Sequence, residues 1–157
     1  MFLIEGALNL ILILPLYFTL QANAPNLNAI QYFAITLFTL SLFMESLADK
    51  QLTHFLSDPG NKGKVCKKGL WRYSRHPNYF FESMVWLSYC LFAISYNPMA
   101  ALPYVIMLLL LRFVTGVPPA EASSLKSKPE KFKHYQQETN IFIPWVPKKG
   151  IAKERYQ

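Results

Sequence analysis

A dense group of polar residues precedes and enters an apolar stretch in the middle of the chain. Residues 69–82 read Gly-Leu-Trp-Arg-Tyr-Ser-Arg-His-Pro-Asn-Tyr-Phe-Phe-Glu. Guanidinium and imidazole groups bind phosphate or carboxylate through charge-assisted hydrogen bonds. Pro77 suits the first turn of a helix, and the N-terminus of a helix also favours anions. The motif therefore predicts an anion-binding cradle. Its candidate members are Arg72, Tyr73, Arg75, His76, Asn78, Tyr79 and Glu82.

Glu82 is notable because it lies within the apolar stretch that follows the motif. An ionisable residue at membrane depth is costly, so a functional role is the first hypothesis. Its carboxylate could accept hydrogen bonds from an amide, an amine or a ribose hydroxyl of a ligand. The alternative is an ion pair with Arg112, the one basic residue inside an apolar span. For Arg72 and Arg75 the alternative is anchoring at a membrane surface.

Long apolar segments must position these groups. Residues 6–44 contain no Asp, Glu, Lys or Arg over 39 positions, which is enough for two membrane-spanning helices. Two further apolar segments follow the motif and are separated by Asn97-Pro98. Because backbone groups in hydrocarbon must be satisfied within their own segment, we expect helices. The predicted spans are 2–20, 29–47, 79–96 and 99–117.

The basic residues predict the orientation of these spans. Seven of the 16 lie between the second and third spans, and eight follow the fourth. The positive-inside rule places both regions, 48–77 and 118–157, in the cytoplasm together with both chain ends. This rule and attraction to anionic lipids account for the net charge of +7, so we expect membrane lipids rather than nucleic acid as partners.

The predicted fold is therefore all-α. We expect one polytopic integral membrane domain over residues 1–157, with about four transmembrane helices, a cytoplasmic loop that carries a cofactor site, and a C-terminal tail. If the second span continues as a helix to about Gln51, Glu45 and Asp49 lie on one face. These carboxylates are either part of the site or the solvated end of a helix. The three histidines have no partner at metal-binding spacing, so no metal site is predicted.

Several runs resemble the family named domain of unknown function 1295. They are residues 45–51, 58–64, the block Trp-Arg-Tyr-Ser-Arg-His-Pro-Asn-Tyr within 69–79, 115–118 with Glu121, and 135–144. The likeness extends from about Phe33 to Pro147. This family is similar to the C-terminal domain of steroid 5α-reductases. A wider group shares the Arg-His-Pro-x-Tyr element and a downstream Glu, and it includes isoprenylcysteine carboxyl methyltransferases.

The resemblance implies roles for particular residues. Asp49, Asn78 and Glu82 match nucleotide-cofactor contacts of the reductases. The cofactor element shared with the methyltransferases is matched by Arg75, His76 and Tyr79. The C-terminal part that folds over the cofactor is matched by Glu121 and Tyr135. Catalytic residues are not assigned by this correspondence.

Two departures from the family pattern bear on function. Phe81 stands where the family usually has Gly, which bears on how closely cofactor and backbone approach there. The steroid reductases have additional N-terminal helices, which carry the carboxylate and tyrosine that polarise the substrate carbonyl. We identify no counterpart of these two residues in this sequence.

The resemblance implies three functional hypotheses. The first is an NADPH-dependent membrane reductase acting on a lipophilic, enone- or steroid-like small molecule. The second is a membrane methyltransferase that uses S-adenosylmethionine, since methyl transfer requires mainly orientation of donor and acceptor. The third is a shortened, non-catalytic paralogue. The expected location is the bacterial inner membrane or the endoplasmic reticulum.

Overall fold

The computed structural model describes residues 9–22 and 26–148, and these residues are mainly helical. The α-helices are α1 Leu14–Gln21, α2 Ala29–Ser57, α3 Pro77–Ala93, α4 Leu102–Phe113, α5 Val117–Ser127 and α6 Pro129–Glu138. Short 3-10 turns are Pro59–Asn61, Gly69–Arg72 and Pro98–Ala101. No strand occurs in these two ranges, which agrees with the all-α prediction.

Helix α2 extends well beyond the predicted span 29–47. It contains no Pro or Gly over its 29 residues and ends immediately before the Asp-Pro-Gly sequence at 58–60. Asp58 caps the following turn, because its side chain accepts a hydrogen bond from the backbone N–H of Gly60. The condition that the second span continues as a helix to about Gln51 is therefore met, and Glu45 and Asp49 lie on one continuous helix.

Two helical runs are long and apolar enough to cross a membrane, Ala29–Ser57 and Pro98–Ser127. They contain the second and fourth predicted spans. The third predicted span corresponds to α3, which has 17 residues. Part of the first predicted span lies outside the described residues. The expectation of four spanning helices thus stays a prediction.

The fourth predicted span, 99–117, differs from the observed helices in detail. Helix α4 ends at Phe113, and α5 begins at Val117 with a proline in its first turn. Proline lacks the N–H that a helix interior requires but is tolerated at a helix start. Residues 114–116 consequently separate the two helices, and α5, which carries Glu121, is an element of its own.

The contacts divide the chain into two compact units, of which the first comprises Met1–Phe43 and Phe81–Leu111. Its best-defined polar feature is the buried side chain of Gln31. The Nε2 atom donates to the carbonyl of Phe92 at 3.3 Å and to the hydroxyl of Tyr96. Its Oε1 atom accepts from the backbone N–H of Asn28 at 2.9 Å. Gln31 thereby joins the start of α2 to the end of α3.

The second unit comprises Met44–Phe80 and Arg112–Gln157. Its apolar core contains Phe55, Cys66 and Trp71, with Leu52 packed against them. The indole N–H of Trp71 donates to the carbonyl of Ala48 at 2.9 Å, so the Gly69–Arg72 turn is fixed to α2. All of the candidate site residues except Glu82 belong to this unit.

Candidate functional site

Arg75 is a buried residue that binds protein atoms through two guanidinium nitrogens and its backbone nitrogen. Its Nε atom donates to Oε1 of Glu121 at 2.7 Å. Its Nη1 atom donates to the carbonyls of Thr139 at 2.7 Å and Gln136 at 3.1 Å. The backbone N–H of Arg75 donates to the carbonyl of Asn140 at 2.8 Å. These bonds connect the motif to α5, α6 and the segment after α6.

Glu121 receives hydrogen bonds on both carboxylate oxygens. The Nε2 atom of His76 lies 3.3 Å from Oε1, and Nε2 of Gln136 donates to Oε2 at 2.8 Å. Burial by itself would raise the pKa of Glu121, but the bonds from His76 and Arg75, the charge of Arg75 and the bond from Gln136 outweigh it and lower the pKa to about 2. Glu121 therefore carries its negative charge at neutral pH.

Tyr135 and Ser74 make further hydrogen bonds that hold the backbone of the motif in place. The hydroxyl of Tyr135 donates to the carbonyls of Trp71 and Ser74. Burial raises the pKa of this phenol, so the group remains a neutral donor. Ser74 donates to the carbonyl of Phe142 at 2.7 Å and accepts from the backbone N–H of His76 at 3.1 Å. The last of these bonds satisfies a backbone donor just before α3.

His76 and Tyr79 form a flat surface at the start of α3. Their rings are stacked with centroids 5.5 Å apart and an interplanar angle of 6°. His76 is 5% exposed, whereas Tyr79 is half-buried. Because His76 also contacts Glu121, the imidazole is held in a fixed orientation.

Asn78 combines one satisfied and one unsatisfied polar atom. Its Nδ2 atom donates to Oδ1 of Asp49 on α2 at 3.0 Å. This bond orients the amide, because a carboxylate can only accept. The remaining Oδ1 atom of Asn78 is buried and has no hydrogen-bond partner in the part of the chain that the structure describes. An unsatisfied buried acceptor costs free energy, so this atom suits a ligand that brings an N–H or O–H donor.

A cavity of about 220 Å³ lies beside these groups, wholly within the second unit. One part of its lining is polar and the rest is apolar. The polar lining consists of Arg75, His76, Asn78, Tyr79, Ser124 and Lys128, together with the hydroxyl-bearing ring of Tyr135. Leu52, Phe55, Val65 and Phe132 belong to the apolar lining. The cavity can therefore hold a flat, partly apolar group that also carries hydrogen-bond donors and negative charge.

A comparison with known families identifies the family of this chain. The profile of the family described as protein of unknown function, DUF1295, matches residues 1–139. The chain belongs to this family. No curated protein and no solved structure gave a match.

The predicted site residues of this DUF1295 chain fall into three groups. Arg75 and His76 both contact Glu121, Tyr79 stacks on His76, and Tyr135 binds the backbone of the same motif. Asp49 is exposed on α2 and contacts Asn78. Glu82 is half-buried on α3 and belongs to the first unit. The cofactor-binding roles of all of these residues remain predictions.

Several residues of the site were not singled out from the sequence. Gln136 and Thr139 bind Glu121 and Arg75, and Lys128 and Ser124 line the cavity. Gln51 accepts a hydrogen bond from the backbone N–H of Leu70 at 2.9 Å. The sequence signal for Gln136 was its position beside Tyr135, in a polar helix that follows a basic run. Thr139 contributes to Arg75 through its carbonyl, which no residue type reveals.

Proposed function

We propose that this DUF1295 protein is a membrane-embedded, NADPH-dependent reductase of the steroid 5α-reductase-like type that acts on a lipophilic enone or steroid-like substrate. The family resemblance and the mixed lining of the cavity support this proposal. NADPH, when bound, supplies a hydride to an electron-poor carbon of the substrate. The residues proposed to hold it are Asn78, Lys128 and the stacked pair of His76 and Tyr79.

The membrane placement is part of the same proposal. Four helices cross the bilayer, and residues 48–77 and 118–157 lie on the cytoplasmic side with both termini. The two long apolar helical runs and the 15 basic residues in these two regions support this arrangement. A cofactor then enters the cavity of the second unit from the cytoplasm, and a lipophilic substrate enters from the bilayer.

The observation that carries the proposal is the unsatisfied, buried Oδ1 atom of Asn78, a residue that belongs to the cavity lining. NADPH has matching donors in its carboxamide and ribose hydroxyls. Lys128 is half-buried in the same lining and offers a cation for phosphate. The charge of Arg75 is balanced by Glu121, so its role is to hold the motif in place and to contribute to the local field.

The volume of the cavity favours a second candidate, a methyltransferase that uses S-adenosylmethionine. Complete ligand pockets usually have volumes of about 300–1,000 Å³. A cavity of about 220 Å³ accommodates only one part of NADPH. S-adenosylmethionine is the smaller molecule, and its adenosine hydroxyls and ammonium group also satisfy an amide acceptor.

Equilibrium binding to purified full-length protein in detergent tests the proposal. We expect NADPH to bind more tightly than S-adenosylmethionine. Asn78→Ala should weaken NADPH binding by about 1–3 kcal/mol, as expected for a lost buried hydrogen bond. The matched control is Asn140→Ala, because the side chain of Asn140 is not part of the cavity lining.

The stability of the free protein provides a second measurement on the same variants. Asn78→Ala removes a buried acceptor that has no partner among the described residues, but it also removes the hydrogen bond from Nδ2 to the exposed Asp49, so the thermal midpoint without ligand should change little. Preferential binding of S-adenosylmethionine would replace the reductase with the methyltransferase. Binding of neither molecule would favour the non-catalytic paralogue.

A further inference from the structure

The segment after α6 runs beside the motif and is hydrogen-bonded to it. We call residues 140–148 the C-terminal strap. The strap has no regular secondary structure, yet its backbone binds the motif at several points. Asn140 accepts from the N–H of Arg75, and Phe142 accepts from the hydroxyl of Ser74. The backbone N–H of Trp145 donates to the carbonyl of Tyr73 at 2.9 Å.

The side chains of the strap divide into one buried anchor and three exposed apolar groups. Phe142 is buried and packs edge-to-face on Phe80. In contrast, Ile143 is 61%, Trp145 68% and Val146 73% exposed. Single exposed apolar side chains are ordinary, but three within four residues on a fixed backbone indicate an interaction surface. Tyr73, which is bonded to Trp145 through its carbonyl, is also exposed.

The charged side chains of the strap and of the adjoining residues 69–81 are basic. Among them, Arg72 and Lys148 are exposed. Residues 69–81 and 139–148 contain no Asp or Glu. The preceding acidic residue, Glu138, is paired with Lys67 at 2.7 Å. The surface therefore combines Trp, Tyr and aliphatic groups with unbalanced basic charge.

We propose that the C-terminal strap, together with Arg72 and Tyr73, is a docking surface for the headgroup region of a bilayer rich in anionic lipid. Trp and Tyr are the residues enriched at this depth, and basic side chains bind lipid phosphates. The proposal rests on the membrane placement given above. A two-fold contact between copies is disfavoured, because it would bring the basic side chains of one surface against those of an identical surface that contributes no acidic side chain of its own.

Docking has a consequence for the candidate site. The carbonyls of Asn140 and Phe142 bind Arg75 and Ser74 directly, so the strap and the motif move together. Insertion of Trp145 and its neighbours holds the motif at the level of the lipid headgroups. Lipophilic molecules that partition into the bilayer then meet the motif at this level.

Site-directed spin labelling of the full-length protein in vesicles tests the proposal. Labels are placed at Ile143→Cys and Trp145→Cys, with Lys133→Cys as the control on an exposed, polar face of α6. The two native cysteines are buried, so they compete little for the label. The measurement is the ratio of collisions with dissolved oxygen, which concentrates in lipid, to collisions with a water-soluble nickel chelate.

In vesicles of phosphatidylcholine and phosphatidylglycerol, we expect this ratio to be several-fold higher at positions 143 and 145 than at 133. It should fall in pure phosphatidylcholine and in the Arg72→Gln, Lys148→Gln double variant. Equal ratios at all three positions would overturn the docking surface. Spin–spin broadening between singly labelled copies would also overturn it and would assign the surface to a second copy.

The failure of this inference is distinguishable from failure of the proposed function. NADPH and S-adenosylmethionine binding is measured in detergent, where no bilayer is present. A strap that inserts into anionic vesicles in a protein that binds neither molecule would support docking and reject the proposed enzyme. Cofactor binding with water-exposed strap labels would reject docking alone.

Discussion

The Nε atom of Arg75 lies 2.7 Å from Oε1 of Glu121, 46 residues further along the chain. Both side chains are largely buried, with 9% and 13% exposure. The pair joins the start of α3 to α5, and Gln136 adds α6 by binding the second carboxylate oxygen. Arg75 thus holds elements of the second unit together, whereas the sequence of its motif predicted a binding site for an external anion.

Single substitutions of this pair should be strongly destabilising. Arg75→Met leaves a buried carboxylate and two carbonyls with fewer donors, and Glu121→Leu leaves a buried guanidinium without its counter-charge. Loss of one partner of a buried ion pair typically costs about 3–5 kcal/mol. We expect both variants to lower the thermal midpoint in detergent, and the double variant to recover part of the loss. Additive losses in the double variant would contradict a direct coupling between the two side chains.

Acid should weaken the protein through Glu121. Its pKa is about 2 in the folded protein and 4.5 as a reference value, so the folded state favours the charged form. The resulting stabilisation is complete above about pH 4.5 and is lost as the pH falls towards 2. A difference of this size corresponds to about 3 kcal/mol. Glu121→Gln should therefore have a lower thermal midpoint than the unmodified protein at neutral pH, and this gap should narrow below about pH 4.5.

The matched control for the acid experiment is Glu130→Gln. Glu130 belongs to the same unit, but its side chain is 86% exposed and its nearest basic partner, Lys133, is 3.6 Å away. Such surface pairs contribute little. A midpoint difference for Glu121→Gln that stays constant from neutral pH to pH 3 would show that the charge of Glu121 is not the source of the stabilisation.

Local signals in the sequence predicted the elements that position the site. Pro77 indicated the start of α3, and the Asp-Pro-Gly sequence at 58–60 is a turn signal that coincides with the end of α2, although the predicted span ended at residue 47. These features are read from neighbouring residues, because proline and glycine restrict or free the backbone at their own position. The family resemblance added Glu121 and Tyr135, which both contact the motif.

The partners within the site could not be predicted in the same way. Arg75 binds carbonyls of Gln136 and Thr139, and every residue has a carbonyl, so no residue type marks these positions. The break between α4 and α5 was missed because the apolar composition continues through Val117 while the helix does not. The unsatisfied oxygen of Asn78 depends on which atoms surround it, and that requires the packed structure.

The proposed orientation predicts which positions are accessible from each side of the membrane. Asn26→Cys and Lys133→Cys place thiols at two exposed positions, one in the turn before α2 and one on α6. A membrane-impermeant maleimide should label Asn26→Cys from outside, and Lys133→Cys only after the membrane is opened. Labelling of both thiols from the same side would contradict the proposal that four helices span the membrane and that residues 118–157 lie in the cytoplasm.

The buried amide of Gln31 should stabilise the first unit. Gln31→Leu leaves the N–H of Asn28, the carbonyl of Phe92 and the hydroxyl of Tyr96 with fewer partners. Hydrogen bonds between membrane helices contribute about 1–2 kcal/mol in model peptides. We expect a lower thermal midpoint for Gln31→Leu, whereas Gln137→Leu at an exposed position of α6 should change it little. Equal midpoints for the two variants would show that the amide contributes no stability.

The turn that begins the motif requires glycine at position 69 for two reasons that can be separated. Gly69 has a φ of 57°, and a Cβ atom there would lie 2.3 Å from Oε1 of Gln51. Gly63 has a φ of 72°, but a Cβ atom at that position would have no neighbour within 4 Å. The left-handed conformation costs an L-residue about 1–2 kcal/mol at either site. Gly69→Ala should cost about 1 kcal/mol more than Gly63→Ala, because Gln51 must leave the N–H of Leu70.

A Gln51→Ala background isolates that second cost. With the side chain of Gln51 truncated, the three atoms nearest to the added methyl group are gone, so Gly69→Ala should lower the free energy of unfolding by the same amount as Gly63→Ala. The measurement is the thermal or denaturant midpoint of the four variants in detergent. Gly69→Ala could instead lower the free energy of unfolding by the same amount in the Gln51→Ala background as in the unmodified protein. The contact between Gln51 and the turn would then contribute no stability, and glycine would be required at position 69 for its backbone conformation alone.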